Sequence, residues 1–164
     1  MIIRDAEPAD LRAITAIYNE VIANTTAVFS ETPVTLENRR VWRAARLARK
    51  YPVLVAETDG AVIGFGSFGP FRTGDAYRPT VEHSVHVRSG ERGQGVGSRL
   101  VTELCDRARQ LGKTSIIAGV EAGNAGSIRM HERLGFERAA LLPQVAVKFG
   151  RPLDLLCLRK MLSD

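Results

Sequence analysis

The segment Arg92-Gly93-Gln94-Gly95-Val96-Gly97 could bind an anion through its backbone. Glycines at every second position leave the main chain uncovered, so successive N–H groups are able to close around an anion. The segment follows a strand-like run and opens a helix-like run, whose N-terminus carries a partial positive charge. The spacing is neither Gly-x-Gly-x-x-Gly nor a P-loop, since no Gly-Lys-Ser/Thr follows. A pyrophosphate suits this pattern, and a tight turn without any ligand suits it equally.

Two further residues have side chains suited to proton transfer. Glu82 lies in the strand-like run before the glycine segment, where burial can raise the pKa of a carboxylate toward the range of a general base. The alternative is an ion pair with an arginine such as Arg78. His131 lies in a short helix-like run, where an imidazole can donate or relay a proton. A lone histidine at such a place also packs without a chemical role.

The sequence predicts neither a metal site nor a disulfide. His83 and His86 are not accompanied by Cys, His or Asp residues at ligand spacing. Cys105 falls on the apolar side of a helix-like run, and Cys157 lies inside an apolar strand-like run. Both cysteines are therefore interpreted as small core residues.

The chain is basic, with a net charge of +5 and a pI near 9.7. Its densest basic stretch comprises Arg39, Arg40, Arg43, Arg46, Arg49 and Lys50, at a spacing that we interpret as the solvated side of one helix. Aromatic residues that would stack on nucleic-acid bases are not interleaved with these charges. We therefore expect no nucleic-acid partner, and a modest positive field instead suits an anionic cofactor.

Nothing in the sequence indicates a membrane protein. No apolar run approaches the roughly 18 residues of a membrane span. The N-terminal residues Met1-Ile2-Ile3-Arg4-Asp5 reach an acid at once and lack a signal-peptide pattern. We expect a cytoplasmic protein with no membrane partner, folded as a single domain over residues 1–164.

Periodicity and turn residues divide the chain into alternating strands and helices. Helices are predicted from Pro8 to about Val21, after the capping residue Thr35 as far as Tyr51-Pro52, over 96–111 and over 124–134. The second of these has Leu36, Trp42, Ala45 and Ala48 as its apolar stripe. Strands are predicted over 2–4, 53–57, 61–68, 80–87, 115–120, 136–142 and 153–160. The order predicts an α/β (α+β) fold, in which helices cover a mixed sheet.

The glycine segment resembles the Arg/Gln-x-x-Gly-x-Gly signature of the GNAT family of N-acetyltransferases. A second block downstream also resembles that family; it comprises Asn124, Ser127 and His131-Glu132-Arg133-Leu134-Gly135-Phe136. The resemblance covers nearly the whole chain. It implies a mostly antiparallel central sheet flanked by helices on both faces, and acetyl-CoA as the co-substrate.

Within the family, the chain resembles phosphinothricin and methionine sulfoximine acetyltransferases. The resembling segments include Thr80-Val81-Glu82-His83-Ser84-Val85-His86-Val87 and Lys148-Phe149-Gly150-Arg151-Pro152-Leu153-Asp154. Two residues depart from that group, because His86 stands where Tyr is usual and Pro152 where Trp is usual. The second departure falls near the substrate side of the fold and leaves the exact acceptor amine open.

The resemblance implies a role for each candidate residue. Acetyl-CoA would contact Val85, His86, Val87, Arg92, Gly93, Gln94, Gly95, Val96, Gly97, Ser98, Asn124 and Ser127. Glu82 would be the general base that takes a proton from the amine, and His131 would protonate the leaving thiolate or relay the substrate proton. The acceptor would contact Phe29, Arg72, Thr73, Gly74, Arg78, Glu82, His83 and Ser84.

The resemblance implies direct acetyl transfer to the amino group of a small amino-acid-like molecule, and it implies a homodimer that is joined near residues 145–154. Two other functions stay open. One is acetylation of protein or peptide N-termini, which an open groove would favour. The other is a sensor that binds acyl-CoA without catalysis.

Overall fold

The computed structural model describes residues 1–163, which form seven β-strands and four α-helices. The strands are β1 (Ile2–Asp5), β2 (Val53–Thr58), β3 (Ala61–Pro70), β4 (Thr80–Val87), β5 (Ser115–Glu121), β6 (Glu137–Lys148) and β7 (Arg151–Met161). The helices are α1 (Leu11–Asn24), α2 (Leu36–Ala48), α3 (Val96–Gln110) and α4 (Ala125–Arg133).

All seven strands belong to one sheet, in the order β1-β2-β3-β4-β5-β7-β6. Neighbouring strands are antiparallel except for β4 and β5, which run parallel. A parallel pair requires a crossover connection, and α3 supplies it. The prediction of a mixed, mostly antiparallel sheet is confirmed.

Helices cover both faces of this sheet, as predicted. The larger hydrophobic cluster joins α3 and α4 to one face, through residues such as Leu100, Leu104 and Ile128. A smaller cluster joins α1 and part of α2 to the other face, around Phe65. We refer to the two sides of the sheet as the α3/α4 face and the α1/α2 face. Because side chains alternate along a strand, neighbouring residues of β4 project to different faces.

The hairpin turn and the helix cap that the sequence predicted are both present. Asp59 and Gly60 join β2 to β3 with positive φ angles of 51° and 77°, the backbone conformation of a tight hairpin turn. Thr35 caps α2, since its Oγ1 accepts a hydrogen bond from the Asn38 N–H at 3.0 Å.

The predicted apolar stripe of α2 is wrong in part. Ala45 and Ala48 are exposed, whereas Arg39, Arg43 and Arg46 are half-buried. The guanidinium of Arg39 lies 4.7 Å from the ring centroids of both Tyr18 and Trp42, and Arg43 donates to the carbonyl of Ala6. Three arginines of α2 therefore turn toward the protein. Two aromatic rings receive Arg39 there, and a backbone oxygen receives Arg43.

The closing hairpin is longer than predicted. Strand β6 continues past Pro143 to Lys148. A register shift between Leu142 and Ala146 accommodates the proline and the positive φ of Gln144 without ending the strand. Phe149 and Gly150 then form a tight turn with φ angles of 52° and 72°. The tip of this hairpin thereby reaches the loop between α1 and α2.

Candidate active site

The central sheet opens between its two parallel strands. Strands β4 and β5 pair only from Thr80↔Ser115 to His83↔Ala118, although β4 continues to Val87 and β5 to Glu121. On its other side β4 stays paired with β3 as far as Val87. The edge of β4 that faces β5 is therefore unpaired beyond His83, which leaves main-chain groups available to an extended ligand.

The glycine segment lies at the mouth of this opening. Gly93 and Gly95 have φ angles of 76° and 82°, and a Cβ at either residue would meet nothing within 4 Å. Gly95 is the N-cap of α3, so the free N–H groups of the first helical turn point into the same space. This curved, uncovered backbone fits a phosphate-bearing group.

A cleft of about 730 Å³ extends from the glycine segment into the opening. Most of the predicted acetyl-CoA contacts line it, namely Val85, His86, Val87, Arg92, Gly93, Gly95, Val96, Gly97, Ser98, Asn124 and Ser127. Gln94 is exposed nearby, and its amide donates to the carbonyl of Gly90. The structure thus brings together residues that are far apart in the sequence along one cleft.

Asn124 also has the structural role that its position allows. Its Oδ1 accepts a hydrogen bond from the Ser127 N–H at 3.2 Å and so caps α4. The cap holds α4 against the opening, because Asn124 and Ser127 line both the large cleft and an adjoining cavity of about 260 Å³. This smaller cavity is also lined by residues from both sides of the sheet, among them Tyr18, Ser84 and His131.

Glu82 lies on the α1/α2 face beside the pairing limit of β4 and β5. It is half-buried, and a Cβ on the neighbouring Gly119 would lie 3.5 Å from its Oε1. Within residues 1–163 its carboxylate has no hydrogen-bond or salt-bridge partner, so the alternative of an ion pair with Arg78 is not realised. Burial raises the pKa of Glu82, and the charge of Arg72 offsets part of the rise.

His131 is paired with His83 on the α3/α4 face. The two rings stack with centroids 5.2 Å apart, and their Nε2 atoms are separated by 3.2 Å. The His131 Nδ1–H donates to the carbonyl of Ser127 at 2.7 Å, so in the neutral ring Nε2 is the acceptor. The His83 Nε2–H is then the donor, and the His83 Nδ1 is left buried without a partner.

Both members of this pair are neutral at physiological pH. Burial, aided by His131 and His86, lowers the pKa of His83 to about 3. Burial also lowers the pKa of His131, although its bond to Ser127 opposes this. Neither ring nitrogen of His131 is free, and the single proton of the neutral ring is on Nδ1. Proton transfer through Nε2 therefore requires the contact with His83 to open and Nε2 first to take up a proton.

His86, which replaces the usual Tyr, packs on the α1/α2 face. Its ring centroid lies 5.3 Å from that of Tyr18 and 5.4 Å from that of Phe65. Burial lowers the pKa of His86 to about 4. The side chain is therefore a neutral ring packed among aromatic neighbours, and His86 still lines both cavities.

The predicted acceptor contacts are not all brought together. Ser84 shares the face of Glu82, whereas His83 projects to the opposite face, as alternation along the strand predicts. Arg72 lies near enough to Glu82 to influence its pKa, and its guanidinium stacks 4.1 Å from the Phe71 ring. Arg78 instead donates to Asp75 within its own turn. Phe29, Thr73 and Gly74 occupy the flanking loops and line neither of the two cavities.

The tip of the β6–β7 hairpin holds the loop that carries Phe29. The Lys148 Nζ donates to the carbonyl of Val28 at 2.7 Å, and the Phe149 N–H donates to the Glu31 carboxylate at 3.0 Å. Lys148 is fully buried, and burial lowers its pKa. The two bonds fix the wall of the opening that Ala27 and Val28 form.

Sequence reasoning missed several residues of the site. Tyr18, Met130, Glu121 and Arg151 line the cavities, and their sequence context carries no signal for that role. Gly119 could have been found, since a glycine inside a buried strand often marks a close approach. Here the approaching groups are the Leu155 side chain and the Glu82 carboxylate.

Residues 1–163 contain no cluster of three His, Cys, Asp or Glu side chains that could hold a metal ion. Among the same residues, no helix is long and apolar enough to cross a membrane.

Residues 14–136 match the model of the Acetyltransferase (GNAT) family. The chain therefore belongs to the GNAT family of acetyltransferases, which confirms the resemblance drawn from the glycine segment and the Asn124–Phe136 block. The present chain has a cleft with a glycine cradle, a parted pair of parallel strands and a capped α4.

Particular relatives are similar over almost the whole chain. An L-methionine sulfoximine/L-methionine sulfone acetyltransferase from Pseudomonas paraeruginosa is 51% identical, over 93% of this chain and 90% of its own. Another, from Salmonella typhimurium, is 47% identical over 100% of this chain and 96% of its own. The solved structure of a phosphinothricin acetyltransferase from Sinorhizobium meliloti in complex with acetyl-CoA has a TM-score of 0.96 at 37% identity, covering 99% of this chain and 88% of that one.

Proposed function

We propose that this protein, as one domain over residues 1–164, transfers the acetyl group of acetyl-CoA to the amino group of a small amino-acid-like acceptor. The favoured acceptors are methionine sulfone, methionine sulfoximine and phosphinothricin, which the names of its relatives support. The observation that carries the proposal is the opening between β4 and β5, with an anion-binding backbone at one end and the unpaired Glu82 beside it.

The donor would be held mainly by main-chain groups. The N–H groups of Gly93 to Ser98 would bind the pyrophosphate, and the unpaired edge of Val85 to Val87 would pair with the pantetheine arm. Acetyl-CoA supplies an activated thioester. An N–H group of the same β4 edge would stabilise the oxyanion, a contribution typically worth about 3–4 kcal/mol.

Glu82 would act on the acceptor. The acceptor nitrogen forms the new N–C bond to the acetyl carbonyl, the C–S bond breaks, and one proton leaves the nitrogen. A half-buried carboxylate with a raised pKa and no partner is suited to accept that proton, directly or through a water molecule. His131 is the second proposed catalytic residue. Once its contact with His83 opens, its Nε2 would take up a proton that the amine has released and pass it to the departing thiolate.

Direct transfer within a ternary complex suits this arrangement better than a covalent acetyl-enzyme. Cys105 is buried in the core. Burial raises the pKa of the Cys157 thiol, and the nearby Glu82 raises it further, so a nucleophilic thiolate is disfavoured there.

The decisive experiment is an acetylation screen. The protein would be incubated with acetyl-CoA and each of three substrate groups: the three favoured acceptors, other amino acids, and short peptides with free N-termini. Thiol release would be followed. Turnover of the favoured acceptors supports the proposal, and turnover of peptides alone would instead identify an N-terminal acetyltransferase. Calorimetric binding of acetyl-CoA with no turnover of any amine would identify a sensor.

We further propose that the protein is a cytoplasmic homodimer. Strand β6 is the edge of the sheet and exposes Leu141, Leu142, Val145 and Val147, the last of them to 71%. An exposed apolar edge strand is a surface that proteins usually cover. Light scattering should give a molecular mass near twice the 17.9 kDa of one chain. A Val147→Asp variant should shift the measured mass toward that of the monomer.

A further inference from the structure

One cation on the α1/α2 face has no hydrogen-bonding partner. Arg46 of α2 is half-buried, and its Nε is shielded from solvent with no hydrogen-bond acceptor. Among residues 1–163 none of its guanidinium nitrogens forms a hydrogen bond or a salt bridge. The other half-buried arginines of α2 differ, because Arg39 stacks between two aromatic rings and Arg43 binds the carbonyl of Ala6. The nearest ring to Arg46 is Trp42, whose centroid lies 5.9 Å away.

The position of Arg46 relative to the sheet is set by a glycine. Its guanidinium lies over Gly69 of β3, where a methyl group would come within 2.6 Å of Cζ and 2.9 Å of Nη2. Gly69 has no positive φ, so its backbone does not require glycine. The absence of a side chain is instead what allows the guanidinium to reach the sheet.

Gly69 and Glu82 are direct partners in the β3–β4 ladder. Cross-strand partners project to the same face, with Cβ positions about 5 Å apart. Arg46 therefore lies on the face of Glu82 and next to it, while the Glu82 side chain extends the other way, toward Gly119. The two groups have opposite charge, lie on the same face of the sheet and form no hydrogen bond or salt bridge within residues 1–163.

We infer that Arg46 binds an oxygen-bearing anionic or strongly polar group of the acceptor whose amine meets Glu82. A guanidinium that presents several N–H donors suits a carboxylate, sulfone, sulfoximine or phosphinate oxygen. The acceptors of the proposed function carry such oxygens at two places, on the α-carboxylate and at the end of the side chain. This inference rests on the proposed function and adds a residue that the sequence had assigned to the solvated side of a helix.

Burial supports this role, because a half-buried cation without a hydrogen-bond acceptor costs free energy in the absence of a ligand. Desolvation lowers the pKa of Arg46, and the neighbouring charge of Arg49 lowers it further. A residue retained only for packing would not need the charge at this place. The replacement Arg46→Met keeps the apolar stem beside Trp42 and removes the charge, so the melting temperature should stay the same or rise.

The test compares three acceptors with wild type and Arg46→Met. Methionine sulfone carries both oxygen groups, norleucine has only the carboxylate, and 3-(methylsulfonyl)propylamine has only the sulfone. We expect KM for methionine sulfone to rise about 10- to 100-fold in the variant, as for loss of a charged hydrogen bond. A matching loss with norleucine assigns Arg46 to the carboxylate, and a matching loss with the sulfonylamine assigns it to the sulfone.

Two further variants and a binding measurement complete the test. Gly69→Ala should displace the guanidinium and reproduce the rise in KM, whereas Arg49→Met removes an exposed charge from the end of the same helix and should leave KM unchanged. Equilibrium binding of methionine sulfone to wild type and Arg46→Met, measured without turnover, tests Arg46 separately from catalysis. Unchanged binding in Arg46→Met, or a lower melting temperature with equal losses for every amine, would overturn the inference. An active site that binds the acceptor through Arg46 but transfers nothing would overturn the proposed function instead.

Discussion

Glu82 and His131 lie on opposite sides of the central sheet. Glu82 projects from β4 to the α1/α2 face, whereas His131 stacks against the adjacent His83 on the α3/α4 face. The two proposed catalytic groups can therefore reach one reaction only through the opening between β4 and β5. Glu82 lies beside the place proposed for the acceptor, and His131 lies on the capped helix α4.

Replacing Glu82 with Gln should abolish most of the turnover. The amide keeps the shape of the side chain but cannot accept the amine proton, so we expect kcat to fall about 10²- to 10⁴-fold. The affinity for acetyl-CoA, measured by calorimetry, should stay unchanged because its proposed contacts are main-chain groups. Glu137→Gln, an exposed carboxylate on β6, is the matched control. Near-normal turnover in Glu82→Gln would show that Glu82 is not the base.

Replacing Arg72 with Gln should move the acidic limb of the pH–rate profile upward. Burial raises the pKa of Glu82, and the Arg72 charge partly cancels this rise. Without that charge the carboxylate becomes harder to ionise, so activity should be lost at a higher pH as the solution is acidified. The measurement is kcat/KM between pH 5 and 9 for both proteins. A limb that stays in place, or moves to lower pH, would contradict the proximity of these two groups.

The buried histidines should make the fold sensitive to acid. His83 has a pKa of about 3 and His86 of about 4 in the folded chain, against 6.5 for an unperturbed histidine. Above pH 6.5 these two histidines are neutral in both the folded and the unfolded chain, so they do not make the free energy of unfolding depend on pH. Below pH 6.5 only the unfolded chain takes up the protons, so the free energy of unfolding falls until the folded pKa values are reached.

Urea unfolding at pH 7.5 and pH 5.0 measures this loss. A His83→Asn variant should lose about 2 kcal/mol less than wild type between the two pH values, whatever its stability at pH 7.5. Equal losses in the two proteins would mean that His83 does not have a lowered pKa in the folded state.

Replacing Gly95 with Ala should weaken the binding of acetyl-CoA. The new methyl group strains a residue with a φ of 82°, and it enters the space proposed for the pyrophosphate. We expect affinity to fall at least about tenfold, since charged hydrogen bonds contribute about 1.5–3 kcal/mol each. Gly60→Ala, at a φ of 77° in the β2–β3 turn, is the matched control for strain alone. Equal binding by both variants would exclude the glycine segment as the pyrophosphate site.

The sequence predicted the features that depend on local rules. The glycine conformation, the Thr35 and Asn124 caps and the alternation of Glu82 and His83 follow from neighbouring residues alone. It could not predict that arginine side chains of α2 point toward the protein, since the aromatic rings that receive Arg39 come from α1 as well as α2. The His83–His131 pair joins residues 48 positions apart, and no periodicity encodes their contact. The sequence predicted that the strand ends at residue 142, but a register shift carries β6 past Pro143.

The bond from Lys148 to Val28 has a consequence for how this site can change during evolution. Lys148 binds a carbonyl oxygen, which every amino acid supplies, so the tether does not depend on which side chain stands at position 28. Residues 27–29 can therefore be exchanged while the course of their loop is kept. Such an arrangement separates the shape of this wall of the opening from its chemistry, so single substitutions can change the lining without first rebuilding the loop.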